Sequence, residues 1–130
     1  MICALKKDDA LAVWPFVEPL IKKATDRDKG RTTPETFRQD IERDEAVLWV
    51  TDDLSLACIT AIVTHPTGLK ACVVQACGGE DMEKCKELCE LLADYAKTID
   101  CDLLEIYGRE GWLRTLPNFT KDVVAMSREL

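Results

Sequence analysis

Leu69-Lys70-Ala71-Cys72-Val73-Val74-Gln75-Ala76-Cys77-Gly78-Gly79-Glu80 is the stretch on which the architecture turns. The run from Leu69 to Ala76 is apolar and β-branched enough to read as a strand, and it stops at two glycines. Beyond them the hydrophobic period changes. Met82, Cys85, Leu88, Cys89, Leu92, Tyr95, Ala96 and Ile99 recur at three- and four-residue steps over Glu80 to Asp100. That spacing predicts an amphipathic helix with one charged, solvated face.

Working outward, Ala46 to Val50, a turn at Asp52-Asp53, and Leu54 to His65 read as a hairpin, and Pro66-Thr67-Gly68 turns the chain into the Leu69 strand. The three runs form an antiparallel meander. Ahead of it, after a short apolar start at Ile2 to Leu5, Asp8 or Asp9 caps a helix carrying Leu11, Trp14, Val17, Leu20, Ile21 and Ala24. Pro15 and Pro19 interrupt that pattern, so the expectation is a kinked or split helix ending before the Asp26 to Gly30 loop. Thr32-Thr33-Pro34-Glu35 offers an N-cap, an early proline and a capping-box Glu for a helix from Pro34 to Asp44. After the long helix, Asp102 to Tyr107 reads as a strand, Glu110 to Thr115 as a short helix or turn, and Val123 to Ser127 as a last strand. A meander followed by a helix and a strand returning beside it gives an α/β domain over residues 1–130. Its central sheet is mixed and mostly antiparallel, with helices on both faces.

The 130 residues carry 17 Lys+Arg against 24 Asp+Glu, a formal net charge of −7, with 47% hydrophobic and 32% charged residues. The length supports one core and not two. An acidic chain lacks the cationic surplus that phosphate-backbone binding needs, so a nucleic-acid partner is not expected. No segment reaches the roughly 18 uninterrupted apolar residues of a membrane span. Met1-Ile2-Cys3-Ala4-Leu5-Lys6-Lys7 lacks signal-peptide order, which points to the cytoplasm.

Seven cysteines, an odd number without a secretory signal, argue for reduced thiols. Cys58 and Cys72 lie in strand-like apolar runs, and Cys85 and Cys89 lie on the apolar stripe of the long helix. Cys85-x-x-x-Cys89 has no second Cys pair at ligand spacing, and His65 is the only histidine, so no metal is expected.

The element order, together with Gln75-Ala76-Cys77-Gly78-Gly79-Glu80, resembles the GNAT acetyltransferases, whose fourth strand ends in a loop that receives the acetyl-CoA pyrophosphate at a helix N-terminus. The family pattern is Gln or Arg, two residues, Gly, one residue, then Gly or Ala. Gln75 and Gly78 match it and Glu80 departs from it. The resemblance makes Gln75, Cys77, Gly78, Gly79 and Glu80 the cofactor-binding candidates. Helix N-terminal N–H groups favour an anion there, whereas Glu80 and Asp81 stabilise the same terminus without one. The closer resemblance is to small phage-encoded GNAT-like proteins found among virion genes. It rests on Val13 to Leu20, Ala46 to Val50, and above all Tyr107-Gly108-Arg109-Glu110-Gly111-Trp112-Leu113-Arg114-Thr115-Leu116-Pro117.

Transfer of an acetyl group to an amine needs a base, oxyanion donors and an acid for the leaving thiolate. In the GNAT enzymes the acid is commonly a Tyr between the fifth and sixth strands, and Gly108 to Leu130 contains none. Tyr107, followed by Gly111 and Trp112, superficially matches the family's Tyr-x-x-x-Gly-Phe spacing, which the resemblance makes a catalytic candidate, the alternative being a strand aromatic packed on the core. Glu105 and His65 are the candidate bases, against the readings of a solvent-facing strand residue and an exposed turn residue. Arg109, Trp112, Arg114 and Phe119 combine residue types enriched at interfaces and are the candidate partner-binding set, the alternative being that Trp112 plugs the open end of the sheet beside the first helix. Two functions follow from the resemblance. One is acetyl-CoA-dependent N-acetyl transfer. The other is a degenerate GNAT-fold binding protein of a phage, whose partner is a virion or host protein and whose place is the virion or the host cytoplasm.

Overall fold

The computed structural model describes residues 1–116 and 118–130. Along the chain these form β1 (Ile2–Ala4), α1 (Lys7–Thr25), α2 (Pro34–Glu42), β2 (Val47–Thr51), β3 (Ala57–Thr64), β4 (Lys70–Gly78), α3 (Met82–Thr98), β5 (Leu103–Ile106) and a short 3-10 helix at Glu110–Arg114. The sheet order is β1-β2-β3-β4-β5. Every pairing is antiparallel except β4 with β5, which α3 joins as a parallel crossover. This is the mixed, mostly antiparallel sheet that the hydrophobic periods predict.

Two cores sandwich the sheet. On one face Trp14, Val17 and Ile21 of α1 and Phe37 and Ile41 of α2 pack on Leu48, Val50, Ile59 and Ala76. On the other, Cys85, Leu88 and Leu92 of α3 pack on Trp49, Cys58 and Val74. Trp49 is buried there, donating its indole N–H to Thr60 Oγ1 at 2.9 Å and meeting Tyr95 edge-on with ring centroids 5.1 Å apart.

Three local expectations are corrected. First, α1 is one uninterrupted helix. Pro15 and Pro19 are four residues apart on its exposed side, where water replaces the deleted ladder bonds, while the buried stripe holds the other side. Its N-cap is Lys6 without a side-chain cap, and Asp8 and Asp9 lie in the first turn, where they favour the helix dipole. Second, the capping box of α2 is Thr33 with Thr36, each hydroxyl accepting the other's backbone N–H. Glu35 instead forms a two-point ion pair with Arg38. Third, residues 123–127 form no strand, since a strand persists only with a ladder partner and this segment finds none. Val123, Val124 and Met126 are exposed.

The geometry that matters most is where β4 breaks register. Ile59 pairs with Ala76 but Thr60 pairs with Val74, so Gln75 is an extra residue bulged out of β4. The β4–β5 ladder ends at Val74 with Ile106, closed by Tyr107 N–H to the Val74 carbonyl at 3.3 Å. Past that point the two strands part. Gly78, which ends β4, lies against α1 so closely that a Cβ there would sit 2.1 Å from the Leu20 carbonyl oxygen.

Candidate active site

The gap between the diverging ends of β4 and β5 opens into a cleft of about 540 Å³ that reaches both faces of the sheet. Its floor is Val74 to Cys77 on one side and Ile106 to Arg109 on the other. Cys85, Leu88, Cys89 and Leu92 of α3 supply an apolar wall. Thr25 at the end of α1 and Arg27, Asp28, Arg31 and Thr32 of the α1–α2 loop supply a polar one, and Trp112 and Ala125 also line the cleft.

Gln75 is held in this cleft by the bulge. Its side-chain oxygen is buried and, among the described residues, has no hydrogen-bond partner. Cys77 also lines the cleft, beside Cys85. Gly78 and Gly79 pack tightly on the chain itself, since α1 and Leu56 occupy the space a side chain would take; a Cβ on Gly79 would lie 2.7 Å from Leu56 Cδ1. Both glycines are explained by the chain's own packing. Glu80 is exposed and reaches Lys23 at 3.5 Å. Asp81 caps α3, its carboxylate accepting the backbone N–H groups of Glu83 at 3.0 Å and Lys84 at 3.3 Å.

Tyr107 lines the cleft and is 64% exposed, so it is not a core aromatic. Glu105 and His65 are brought together, Nε2 to Oε1 at 3.0 Å, but neither is among the residues lining the cleft. Of the Arg109, Trp112, Arg114 and Phe119 set, the first two line the cleft and the others do not. Trp112 is half-buried and packs against the α3-side core, not beside α1. Pro117, which closes the Gly-Arg-x-Gly-Trp motif, lies outside the described residues. The α1–α2 loop residues Arg27, Asp28 and Arg31 were legible only as a charged Asp-Arg-Asp-Lys-Gly-Arg turn; nothing in that pattern tells a solvated loop from a cleft wall.

No family model matches the chain, and no curated protein matches it. Solved structures do. A probable acetyltransferase superposes with a TM-score of 0.68 at 13% identity over 99% of both chains. An aminoglycoside acetyltransferase from an uncultured soil metagenomic sample gives 0.69 at 10%, covering 100% of this chain and 95% of its own. The glucosamine-6-phosphate N-acetyltransferase of Arabidopsis thaliana gives 0.65 at 16%, covering 99% and 97%. The chain has the GNAT acetyltransferase fold. At these identities the likeness speaks for the fold and not for a substrate.

Acetyl-CoA is the cofactor that this fold makes plausible, and the residues answer to it unevenly. The cleft, open through the sheet edge and apolar on its α3 side, fits a slender acyl-bearing arm. The β4–α3 junction does not fit a pyrophosphate: the Asp81 carboxylate already holds two of the helix N-terminal donors, and Glu80 and Glu83 add like charge. Among the described residues no His, Cys, Asp and Glu side chains group so as to hold a metal ion, and no helix is long and apolar enough to cross a membrane.

The thiols of β4 and α3 are unreactive by environment. Burial pushes Cys72 and Cys89 up to about 11. Cys77 and Cys85 are raised further, chiefly by hydrogen bonding to the neighbouring thiols Cys58 and Cys77 respectively. Each thiol therefore holds its proton more tightly in the folded chain than in the unfolded one, where the usual value is about 8.5. The sign follows: this contribution is intact below pH ~8.5 and is lost as pH rises toward 11. Urea midpoints should be flat from neutral pH to ~8.5 and fall from there toward pH 11. A thiol reagent at neutral pH should label exposed Cys3 first and reach Cys58, Cys72 and Cys85 only on unfolding.

Proposed function

We propose that the protein transfers an acetyl group to an amine, with donor and acceptor meeting in the β4–β5 cleft. The observation that carries this reading is the cleft itself: a bulge at Gln75 and the early end of the β4–β5 ladder open the sheet edge between an apolar wall and a polar one. The fold it shares with acetyltransferases supports it. Within the cleft, Tyr107 is the titratable hydroxyl placed to exchange a proton with a ligand, and Leu88, Leu92 and Trp112 give its lining apolar surface. Glu105, turned to His65, acts on no ligand in the cleft unless it moves.

A second reading, a binding protein of the same fold that turns nothing over, is favoured by one feature. The α3 N-terminus is capped by Asp81 and flanked by Glu80 where a pyrophosphate would need bare donors. In the phage setting that the sequence resembles, its partner is a virion or host protein. The two readings separate by incubating the protein with acetyl-CoA and a panel of primary amines and analysing products by mass spectrometry. Acetylated amine, lost in Tyr107→Phe, supports transfer; acetyl-CoA binding without product, or no binding, supports the second.

A variant reports on the obstruction directly. Asp81→Gly removes the charge and frees the Glu83 and Lys84 donors at a cost of only about a few tenths of a kcal/mol in capping. It should raise acetyl-CoA affinity roughly tenfold in a calorimetric titration, since a released charged acceptor is worth about 1.5–3 kcal/mol. Glu80→Gly should raise it less, because Glu80 is 90% exposed and already faces Lys23. Unchanged affinity in Asp81→Gly would show that the junction takes no part in binding.

A further inference from the structure

We infer that the cleft receives a ligand carrying both an N–H donor, accepted by the Gln75 side-chain oxygen, and a carboxylate or phosphate, held by Arg27, Arg31 and Arg109. The charge placement is the first observation. In a chain with 24 acids and 17 bases, the charged residues lining the cleft, among the described residues, are three arginines and Asp28. Asp28 is also spoken for. Its carboxylate accepts the Arg31 backbone N–H at 3.0 Å and the Thr32 hydroxyl, while Arg31 Nη1 donates to the Asp28 carbonyl at 2.9 Å. That closed turn fixes the loop and leaves Arg27 without a counter-ion. Among the described residues, the Arg27 and Arg109 side chains make no hydrogen bond or ion pair, and they stand on the loop wall and the β5 wall of one cleft. Guanidinium groups are suited to planar or tetrahedral oxyanions, and a cleft concentrates their field.

The second observation is independent of charge. Gln75 lines the same cleft, and among the described residues its buried side-chain oxygen has no donor to meet it, a cost that an arriving N–H removes. An anion alone leaves Gln75 unanswered, and a simple amine leaves the arginines so. A ligand with both groups, an amino acid or an amino-phosphate in chemical class, answers both. This rests on the proposal that the cleft is the substrate site and names the acceptor class for it; it does not require that transfer occurs.

The test is calorimetric titration at low ionic strength with phosphoethanolamine, ethanolamine and inorganic phosphate as probes. Phosphoethanolamine should bind most tightly, phosphate more weakly and ethanolamine hardly at all. Arg27→Gln and Arg109→Gln should each weaken phosphoethanolamine and phosphate about tenfold, as expected for loss of a charge-assisted hydrogen bond. Gln75→Leu should weaken phosphoethanolamine by a similar factor and leave phosphate unchanged. Arg43→Gln, outside the cleft, should change neither. The inference is overturned if no probe binds, if ethanolamine matches phosphoethanolamine, or if both exposed arginine variants bind like wild type. Those two variants decide the matter even where Gln75→Leu fails to fold. Retained probe binding in a protein that yields no acetylated amine would strike the transfer reading alone.

Discussion

Gly78→Ala should destabilise the protein more than any other single-methyl addition. The added Cβ would lie 2.1 Å from the Leu20 carbonyl oxygen and 2.6 Å from its carbon, both backbone atoms of α1, which cannot rotate away as a side chain does. Either α1 lifts from β4, uncovering the core formed by Val17 and Ile21, or the end of β4 is pushed off the sheet. Overpacking of this kind costs about 1–3 kcal/mol and occasionally more, and contact with backbone puts Gly78→Ala at the upper end. The melting temperature should fall by roughly 10 °C, at about 4 °C per kcal/mol for this size. Gly30→Ala is the control: nothing lies within 4 Å of its Cβ, and the positive φ of 84° leaves only backbone strain of about 1–2 kcal/mol. A Gly78→Ala protein as stable as wild type would mean that the glycine answers to a ligand and not to α1.

Trp49→Ala is expected to cost about 3–5 kcal/mol. The indole is 4% exposed, holds Thr60 through its N–H, and meets Tyr95 edge-on, so the truncation opens a void between the sheet and α3 and orphans a buried hydroxyl. Against a typical total of about 5–15 kcal/mol, that leaves the chain close to its unfolding threshold. Urea denaturation should show a lower midpoint with an unchanged slope. Trp112→Ala, at a half-buried residue lining the cleft, should cost distinctly less and should alter ligand binding instead. If the two costs were reversed, the core would have been placed on the wrong tryptophan.

How far the residues spoke for themselves varies with the length scale of the signal. Leu69 to Ala76 declared a strand because it is a continuous apolar, β-branched run, buried on both faces, and Met82 to Ile99 declared a helix because burial on one face repeats over several turns. The single-residue readings fared less well. Pro15 and Pro19 argue locally against a continuous helix, yet the Trp14, Val17, Ile21 stripe outweighs two exposed prolines. Val123 to Ser127 has strand composition but no ladder edge to join, which no local pattern reveals. At the cleft, Gln75 and Cys77 were legible from the Gln-x-x-Gly pattern, and Tyr107 from its spacing to Gly111 and Trp112. The roles of the glycines were not, since packing on α1 and approach of a phosphate ask for the same residue. Arg27 and Arg31 were silent because their significance lies in lining one cleft with Arg109, more than 75 positions away in the chain.

The central claim, that the opened β4–β5 edge is where ligand binds, is tested most directly by titrating acetyl-CoA into isotopically labelled protein and following backbone amide resonances. The account predicts shifts concentrated in Val74 to Gly78 and Ile106 to Arg109, extending to Leu88 and Leu92 on the α3 wall. Shifts confined to other surfaces, or none at millimolar ligand in both the wild type and Asp81→Gly, would contradict it.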